Sequence, residues 1–165
     1  MKCREIIEIL ETLAPKSCAC DWDNPGLLAG RMDKDVKKIL LTLDADDAAV
    51  ERAKEIGADM LLSHHPLIFK PVKHVSDEDF IGRRLVSLIQ ADVSYYAMHT
   101  NFDSAPGCMA DIVADRLNFV DQKPLELMGE LSGTAYGIGK TGTLKKPMTG
   151  PELAREVKNR FGLPF

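Results

Sequence analysis

Two apolar segments that end in histidines constrain the fold of this chain more than any other feature. Residues 59–63 lead into His64 and His65, and residues 93–98 lead into His99. A further strand pattern and two amphipathic helix patterns precede and separate these segments, at 37–44, 48–56 and 77–90. Strands that alternate with helices in this way predict βαβ units, and hence an α/β fold with a mainly parallel sheet and flanking helices.

Size and charge narrow the class of protein. The chain has 165 residues, of which 45% are hydrophobic and 28% charged, so residues 1–165 suit one globular domain with a substantial core. The net charge of -4 and the lack of a long basic run argue against a nucleic-acid partner. No apolar run reaches the roughly 18 residues of a membrane span, and no signal peptide follows Met1. We therefore expect a cytoplasmic protein without a membrane partner. Its four cysteines are expected to be free thiols.

The remaining segments give weaker signals. Residues 2–14 predict an N-terminal helix, and residues 124–127 an edge strand. Residues 135–144 predict a glycine-rich strand or hairpin, in which the spacing of the glycines superficially fits a dinucleotide fingerprint. No helix pattern begins at Gly142, so we interpret these glycines as a bend or bulge in a β segment. Thr149 and Glu152 form a capping-box pattern that predicts the last helix.

The histidines predict a metal site. The carboxyl ends of parallel strands meet at one edge of the sheet, so His64, His65, His99 and the following Asp103 are expected on the same side. Imidazole and carboxylate ligands suit zinc, iron, manganese or nickel, and the absence of a thiolate pattern argues against a structural cysteine site. His74 lies in a polar connection and is expected to be an ordinary surface histidine.

Several alternatives stay open at this point. Successive residues of an extended backbone point in opposite directions, so the rings of His64 and His65 are expected to address two ions, or one ion and a substrate, unless the backbone turns. Asp44 and Asp46 follow the first strand. They are candidates for metal ligands, for groups that orient the histidines, or for helix N-caps, and we prefer the N-cap interpretation. By local chemistry alone, the loop around Trp22 is expected to pack, with a plain turn at residues 24–26.

Four short segments together resemble the Nif-three-like family, whose members are commonly labelled GTP cyclohydrolase I type 2 homologues or dinuclear metal centre proteins. These segments are WDNPGL at 22–27, SHHPLIF at 63–69, HTNFD at 99–103 and YGIG at 136–139. The resemblance implies an α/β subunit with two divalent ions in a cleft, assembled as a hexameric ring. It implies that His64, His65 and Asp103 are metal ligands, and that His99, Trp22, Asn24 and Asn101 lie near the site.

The same resemblance places a further His and a bridging Glu in a later half that this sequence does not contain. We therefore expect residues 1–165 to be a truncated form or fragment of a longer protein, holding half of a dinuclear site. The function it implies is that of a metal-dependent hydrolase acting on a small-molecule or nucleotide substrate such as GTP, with His99 as the catalytic proton shuttle. A nucleotide phosphoesterase is the close alternative, and a non-enzymatic metal-binding scaffold that binds partners is the third.

Overall fold

A computed structural model describes residues 1–164 of the chain. The chain forms two compact units, Met1–Phe102 and Asp103–Phe165. The helices are α1 (Cys3–Leu13), α2 (Asp47–Glu55), α3 (Phe80–Gln90), α4 (Thr100–Ser104), α5 (Met109–Arg116) and α6 (Gly150–Phe161), with a short 3-10 turn at Lys16–Cys18. The strands are β1 (Gly26–Ala29), β2 (Ile39–Thr42), β3 (Met60–Ser63), β4 (Ser94–Ala97), β5 (Phe119–Leu131) and β6 (Thr134–Leu144).

The first unit contains a four-stranded sheet in the order β1-β4-β3-β2. Strands β2, β3 and β4 are parallel to one another, with Leu40 opposite Leu61 and Leu61 opposite Tyr95. Strand β2 forms one edge of the sheet. Strand β1 forms the other edge and is antiparallel to β4. The predicted α/β fold with βαβ units is therefore confirmed, since α2 connects β2 to β3 and α3 connects β3 to β4.

Helices α2 and α3 contribute the core on one face of this sheet. Val50 and Ala53 of α2 are buried in the same cluster as Leu85 and Leu88 of α3. The sheet adds Leu61, Tyr95 and Ala97 to the cluster, all with exposed fractions near zero. Because both helices and the sheet lose water from their apolar surfaces together, this cluster fixes where the carboxyl ends of β3 and β4 lie.

Local signals for the helix ends are largely correct. Asp46 caps α2 by accepting a hydrogen bond from the Ala49 N–H, which agrees with the preferred interpretation of this residue. Thr149 and Glu152 form the predicted capping box of α6. Helix α3 begins three residues later than predicted, because the side chain of Asp79 caps it through the Gly82 N–H.

The second unit contains an antiparallel hairpin whose second strand, β6, agrees with the strand predicted at residues 135–144. Strand β5 extends over 13 residues and pairs with β6, whereas the pattern predicts only residues 124–127 as an edge strand. Two register irregularities interrupt the alternation of apolar and polar residues in the pair, which is why the pattern is weak in the sequence. Ser132 and Gly133 have positive φ values of 51° and 82° and form the tight turn.

Gly137 of β6 allows the two strands of this hairpin to lie close together. A Cβ atom at Gly137 would lie 1.8 Å from the carbonyl oxygen of Glu126, so only glycine allows the two strands to approach this closely. This agrees with a β bend or bulge and with the rejection of a dinucleotide fingerprint. All four cysteines carry free thiols, as expected. Within residues 1–164, every helix is too short or too polar to cross a bilayer.

Candidate metal centre

Three imidazole rings converge at the carboxyl ends of β3 and β4. The centroids of His64 and His65 are 4.9 Å apart, and those rings lie 5.2 Å and 5.6 Å from the ring of His99. One nitrogen from each of the three rings lies within 4.8 Å of the other two, so the three residues form a group that could hold a metal ion. The edge of the parallel sheet therefore brings together the three histidines that the sequence analysis singled out.

The backbone bends at His64 and His65, and this corrects the expectation that their rings diverge. Strand β3 ends at Ser63, so the alternation of an extended strand no longer holds for the next two residues. Ser63 Oγ donates to the His65 carbonyl over 2.8 Å, and the Tyr95 hydroxyl approaches the same carbonyl at 3.1 Å. The His65 N–H donates to the Leu43 carbonyl over 3.0 Å. These bonds hold the bend that turns both rings to one side.

Each of the three rings has its Nδ1 atom against an oxygen acceptor. His64 Nδ1 lies 2.9 Å from the Met98 carbonyl, His65 Nδ1 lies 2.8 Å from Asp44 Oδ1, and His99 Nδ1 lies 2.8 Å from Asp23 Oδ1. A carbonyl or an ionised carboxylate only accepts hydrogen bonds, so these partners favour the tautomer with the proton on Nδ1. The unprotonated Nε2 is then the atom able to bind a metal. This is the tautomer that oxygen partners impose on metal-ligating histidines.

Asp23 is the most constrained of these partners. Its side chain has no exposed surface, whereas that of His99 is 17% exposed. Besides His99, the carboxylate accepts from the Asn24 N–H at 2.8 Å and from the Thr100 N–H at 2.9 Å, and the Thr100 hydroxyl donates to it as well. Burial raises the pKa of Asp23, but the hydrogen bonds from Thr100, His99 and Asn24 outweigh burial and leave the pKa below its ordinary value. Asp23 is therefore an anion that fixes the orientation of His99.

Asp44 does not cap α2, contrary to the preferred interpretation. Its carboxylate instead contacts His65, and both side chains are about half exposed, at 57% and 48%. Asp46 provides the cap, so the two aspartates after β2 have separate roles. Of the alternatives left open for Asp44, the geometry agrees with an orienting group for His65.

Trp22 is not a packing residue, and this corrects the prediction from local chemistry. Its side chain is 61% exposed, and its ring lies 6.2 Å from that of His99 and 5.9 Å from that of Phe69. The plain turn predicted at residues 24–26 is also absent, because the turn lies at Asp21 and Trp22 and strand β1 begins at Gly26. Asn24 instead donates from Nδ2 to the Ile68 carbonyl over 2.6 Å, which ties the two loops together.

The two other predicted residues, Asn101 and Asp103, both lie in α4. Asn101 is fully buried, accepts from the His99 N–H at 2.9 Å and donates to the Ala14 carbonyl at 2.8 Å, so it positions the backbone of His99. Asp103 lies in α4 as the first residue of the second unit, and its assignment as a metal ligand stays a prediction. Sequence reasoning assigned no role to Asp23, and its only signal was its place in the WDNPGL segment.

Comparison with known proteins places this geometry in a family. The family model described as Duf34/NIF3 (NGG1p interacting factor 3) matches residues 1–165. A Clostridium perfringens protein named GTP cyclohydrolase 1 type 2 homolog is 35% identical over 168 residues, which cover 99% of this chain and 62% of that protein. A protein of the same name from Methanocaldococcus jannaschii is 35% identical over 146 residues, 88% of this chain and 56% of the relative. The chain thus spans less than two thirds of these relatives.

Solved structures agree with this assignment. A Bacillus cereus protein related to NIF3 has a TM-score of 0.88 at 21% identity, covering 100% of this chain and 71% of that one, and so supports the fold alone. Reduced HcgD from Methanocaldococcus jannaschii has a TM-score of 0.83 at 33% identity, covering 96% of this chain and 60% of that one. The resemblance seen in the four short segments is therefore confirmed, and the chain belongs to the DUF34/NIF3 family.

Proposed function

We propose that this chain binds divalent metal ions at the cluster of His64, His65 and His99, with Asp103 as a further ligand, and supplies this site to a metal-dependent hydrolase. One observation carries the proposal: three rings converge within 4.8 Å while the Nδ1 atom of each is engaged by an oxygen acceptor. Histidines that serve only as surface or core residues have no reason to share one tautomer and one direction.

The donor set fits a transition metal. Neutral imidazole nitrogens suit zinc, iron and nickel, and an added carboxylate extends the range to manganese. A divalent ion held here would act as a Lewis acid and make nearby water a better nucleophile at neutral pH. The two-ion centre that the family resemblance implies would need ligands in addition to these four residues.

His99 has two roles to be distinguished within this proposal. As a ligand it contributes Nε2 to the ion. As a proton shuttle it holds and returns a proton at the same atom, while Asp23 keeps the ring in place through Nδ1. The buried Asp23 anion serves both roles, because in either case Nε2 has to face the reacting groups.

The substrate proposal rests on the names of the relatives. They support hydrolytic opening of a guanine ring, as in a GTP cyclohydrolase, by the complete protein. A nucleotide phosphoesterase is the alternative that the same centre could serve, and a non-enzymatic scaffold is the outcome if neither reaction occurs. Assembly as a hexameric ring and a cytoplasmic location belong to the same proposal, and light scattering tests the first of these.

Metal content tests the site itself. Protein dialysed against zinc and then against buffer is analysed for bound metal, with His64→Ala, His65→Ala and Asp103→Ala beside the parent. We expect each variant to lose at least about tenfold in zinc affinity. His74→Ala is the matched control, because His74 is exposed and outside the three-histidine cluster. Equal zinc content in all five proteins would refute the ligand assignment.

Activity tests the reaction. Metal-loaded protein is assayed with GTP for ring opening and with a generic phosphoester for hydrolysis. Retained zinc with lost turnover in His99→Ala indicates a proton shuttle, and loss of zinc in that variant indicates a ligand. If a full-length family member with bound metal turns over neither substrate, the hydrolase proposal is wrong and the scaffold role stands.

A further inference from the structure

Two exposed aromatic side chains border the three histidines. Trp22 is 61% exposed and Phe69 is 47% exposed, although both are large apolar groups that a folded chain normally buries. Their ring centroids lie 6.2 Å and 6.4 Å from that of His99. Aromatic surface left open beside a cluster of polar ligand atoms is typical of a binding site for a small molecule.

The two rings form an open corner and do not pack against each other face to face. Their centroids are 5.9 Å apart and their planes are inclined by 57°. Each ring also meets His99 steeply, at 70° for Trp22 and 78° for Phe69. A planar molecule can therefore stack on the face of one ring while its edge meets the other.

Short hydrogen bonds hold this corner in shape before any ligand arrives. Asn24 Nδ2 donates to the Ile68 carbonyl over 2.6 Å, which joins the Trp22 loop to the Phe69 loop. The side chain of Asp23, between Trp22 and Asn24, is fully buried and hydrogen-bonded to His99. Both aromatic residues are next in sequence to residues held by these hydrogen bonds. Ligand binding therefore costs little conformational entropy for ordering the two loops.

We propose that Trp22 and Phe69 form a stacking site for a planar heteroaromatic ring, which positions the polar edge of that ring against the histidine cluster. The inference rests on the proposed metal centre, because it names the class of substrate that this centre would act on. A planar heterocycle is favoured over a saturated one because stacking uses its whole face, and over a hydrocarbon because only ring nitrogens and carbonyls can meet the imidazoles. Trp22 and Phe69 are thereby binding residues that determine specificity.

The single tryptophan of the chain makes the test direct. Trp22 fluorescence is titrated with adenosine and inosine, and with ribose as the non-aromatic probe, in zinc-loaded and in metal-free protein. We expect saturable quenching by both nucleosides and none by ribose. Removing an aromatic side chain on which a base stacks commonly lowers the affinity for that base by about tenfold. We therefore expect Phe69→Ala to weaken nucleoside binding by about that factor.

Matched variants separate stacking from general effects. Phe80→Ala removes an aromatic side chain of the same unit that is 53% exposed but contacts Arg84, and it should leave the affinity unchanged. Trp22→Ala, measured by calorimetry, should lose about tenfold, and Trp22→Phe should retain most of the binding. Equal affinities in Phe69→Ala and Phe80→Ala, or equal responses to adenosine and ribose, would overturn the stacking site. Trp22 emission that changes with protein concentration and not with nucleoside would also overturn the stacking site, because it would indicate that a second copy of the chain covers this surface.

The outcomes also separate this inference from the metal proposal. Nucleoside binding that depends on Phe69, in a parent protein that takes up no zinc when zinc is supplied, would support the stacking site and defeat the metal centre. Zinc binding that depends on His64 without any nucleoside response would do the reverse. The His64→Ala variant makes the distinction within one protein, because it should lose zinc while Trp22 still responds to adenosine.

Discussion

The Asp23 carboxylate lies 2.8 Å from His99 Nδ1, and its side chain is completely buried although the two residues are 76 positions apart in the chain. This pair ties the loop before β1 to the loop after β4. Because Asp23 is ionised and imposes one tautomer on His99, a loop with no metal ligand of its own controls the direction of an imidazole at the candidate site.

Asp23→Asn should weaken both the fold and the site. An amide oxygen cannot replace both carboxylate oxygens toward the His99 ring, the Thr100 groups and the Asn24 N–H, so we expect a loss of about 2–3 kcal/mol in unfolding free energy. Zinc affinity should fall by about 10–100-fold through the misdirected ring. Urea unfolding and zinc titration measure the two effects. Asp21→Asn, at an exposed position of the same turn, should change neither quantity.

Acid should remove the contribution of Asp23 to stability. Burial raises the pKa of Asp23, but its hydrogen bonds lower the pKa by more than burial raises it. The pKa in the folded chain therefore lies below the ordinary value of 3.8. Between these two values the unfolded chain binds a proton that the folded chain does not, so this contribution is present above pH 3.8 and is lost as the pH falls through the folded pKa. Urea midpoints from about pH 5 to about pH 3 should converge between the parent and Asp23→Asn. A constant gap across that range would contradict the assignment.

Asp44 and Asp46 should separate orientation from capping. Asp46→Ala removes the cap of α2 and should cost about 1 kcal/mol of stability with zinc affinity unchanged. Asp44→Ala removes the partner of His65 Nδ1 and should lower zinc affinity by about tenfold. Its pair with His65 is about half exposed, so stability should change by less than about 1 kcal/mol. The reverse assignment of effects to the two variants would refute the separate roles.

The hydroxyl of Tyr95 should matter for the histidine bend. It contacts Ser63 Oγ at 2.8 Å and the His65 carbonyl at 3.1 Å, and it accepts from the Leu67 N–H at 2.7 Å. Burial raises the pKa of Tyr95, so the phenol stays protonated and able to donate. Tyr95→Phe should cost about 1–3 kcal/mol in unfolding free energy, because it leaves the buried Leu67 N–H without an acceptor. It should also lower zinc affinity.

Tyr96→Phe is the matched comparison for that prediction. Its ring is equally buried, but its hydroxyl contacts Glu11 at 2.7 Å and the bend makes no use of it. We expect a stability loss of about 1 kcal/mol with unchanged zinc affinity. Equal zinc affinities in the two tyrosine variants would show that the bonds of the Tyr95 hydroxyl do not hold the bend.

Secondary structure could be predicted where the signal is local. The strands β2, β3 and β4 and the helices between them follow from apolar periodicity, and the caps at Asp46 and Thr149 follow from residue type and spacing. The β5–β6 hairpin could not be predicted in full, because two irregularities break the period of two on which the pattern depends. A register irregularity is defined by the pairing of two strands, so it cannot be recognised from one strand's sequence alone.

The amino-acid sequence by itself determined the parallel βαβ frame and placed three histidines at the carboxyl edge of its sheet, because the alternation of apolar segments leaves few other topologies. Only the tertiary structure showed that the backbone bends at His64 and His65, that Asp44 turns to His65, and that Trp22 stays exposed beside Phe69. The physical reason is distance along the chain. The contact of Asp44 with His65 spans 21 positions and that of Asp23 with His99 spans 76, so both form only after the sheet has brought its strand ends together.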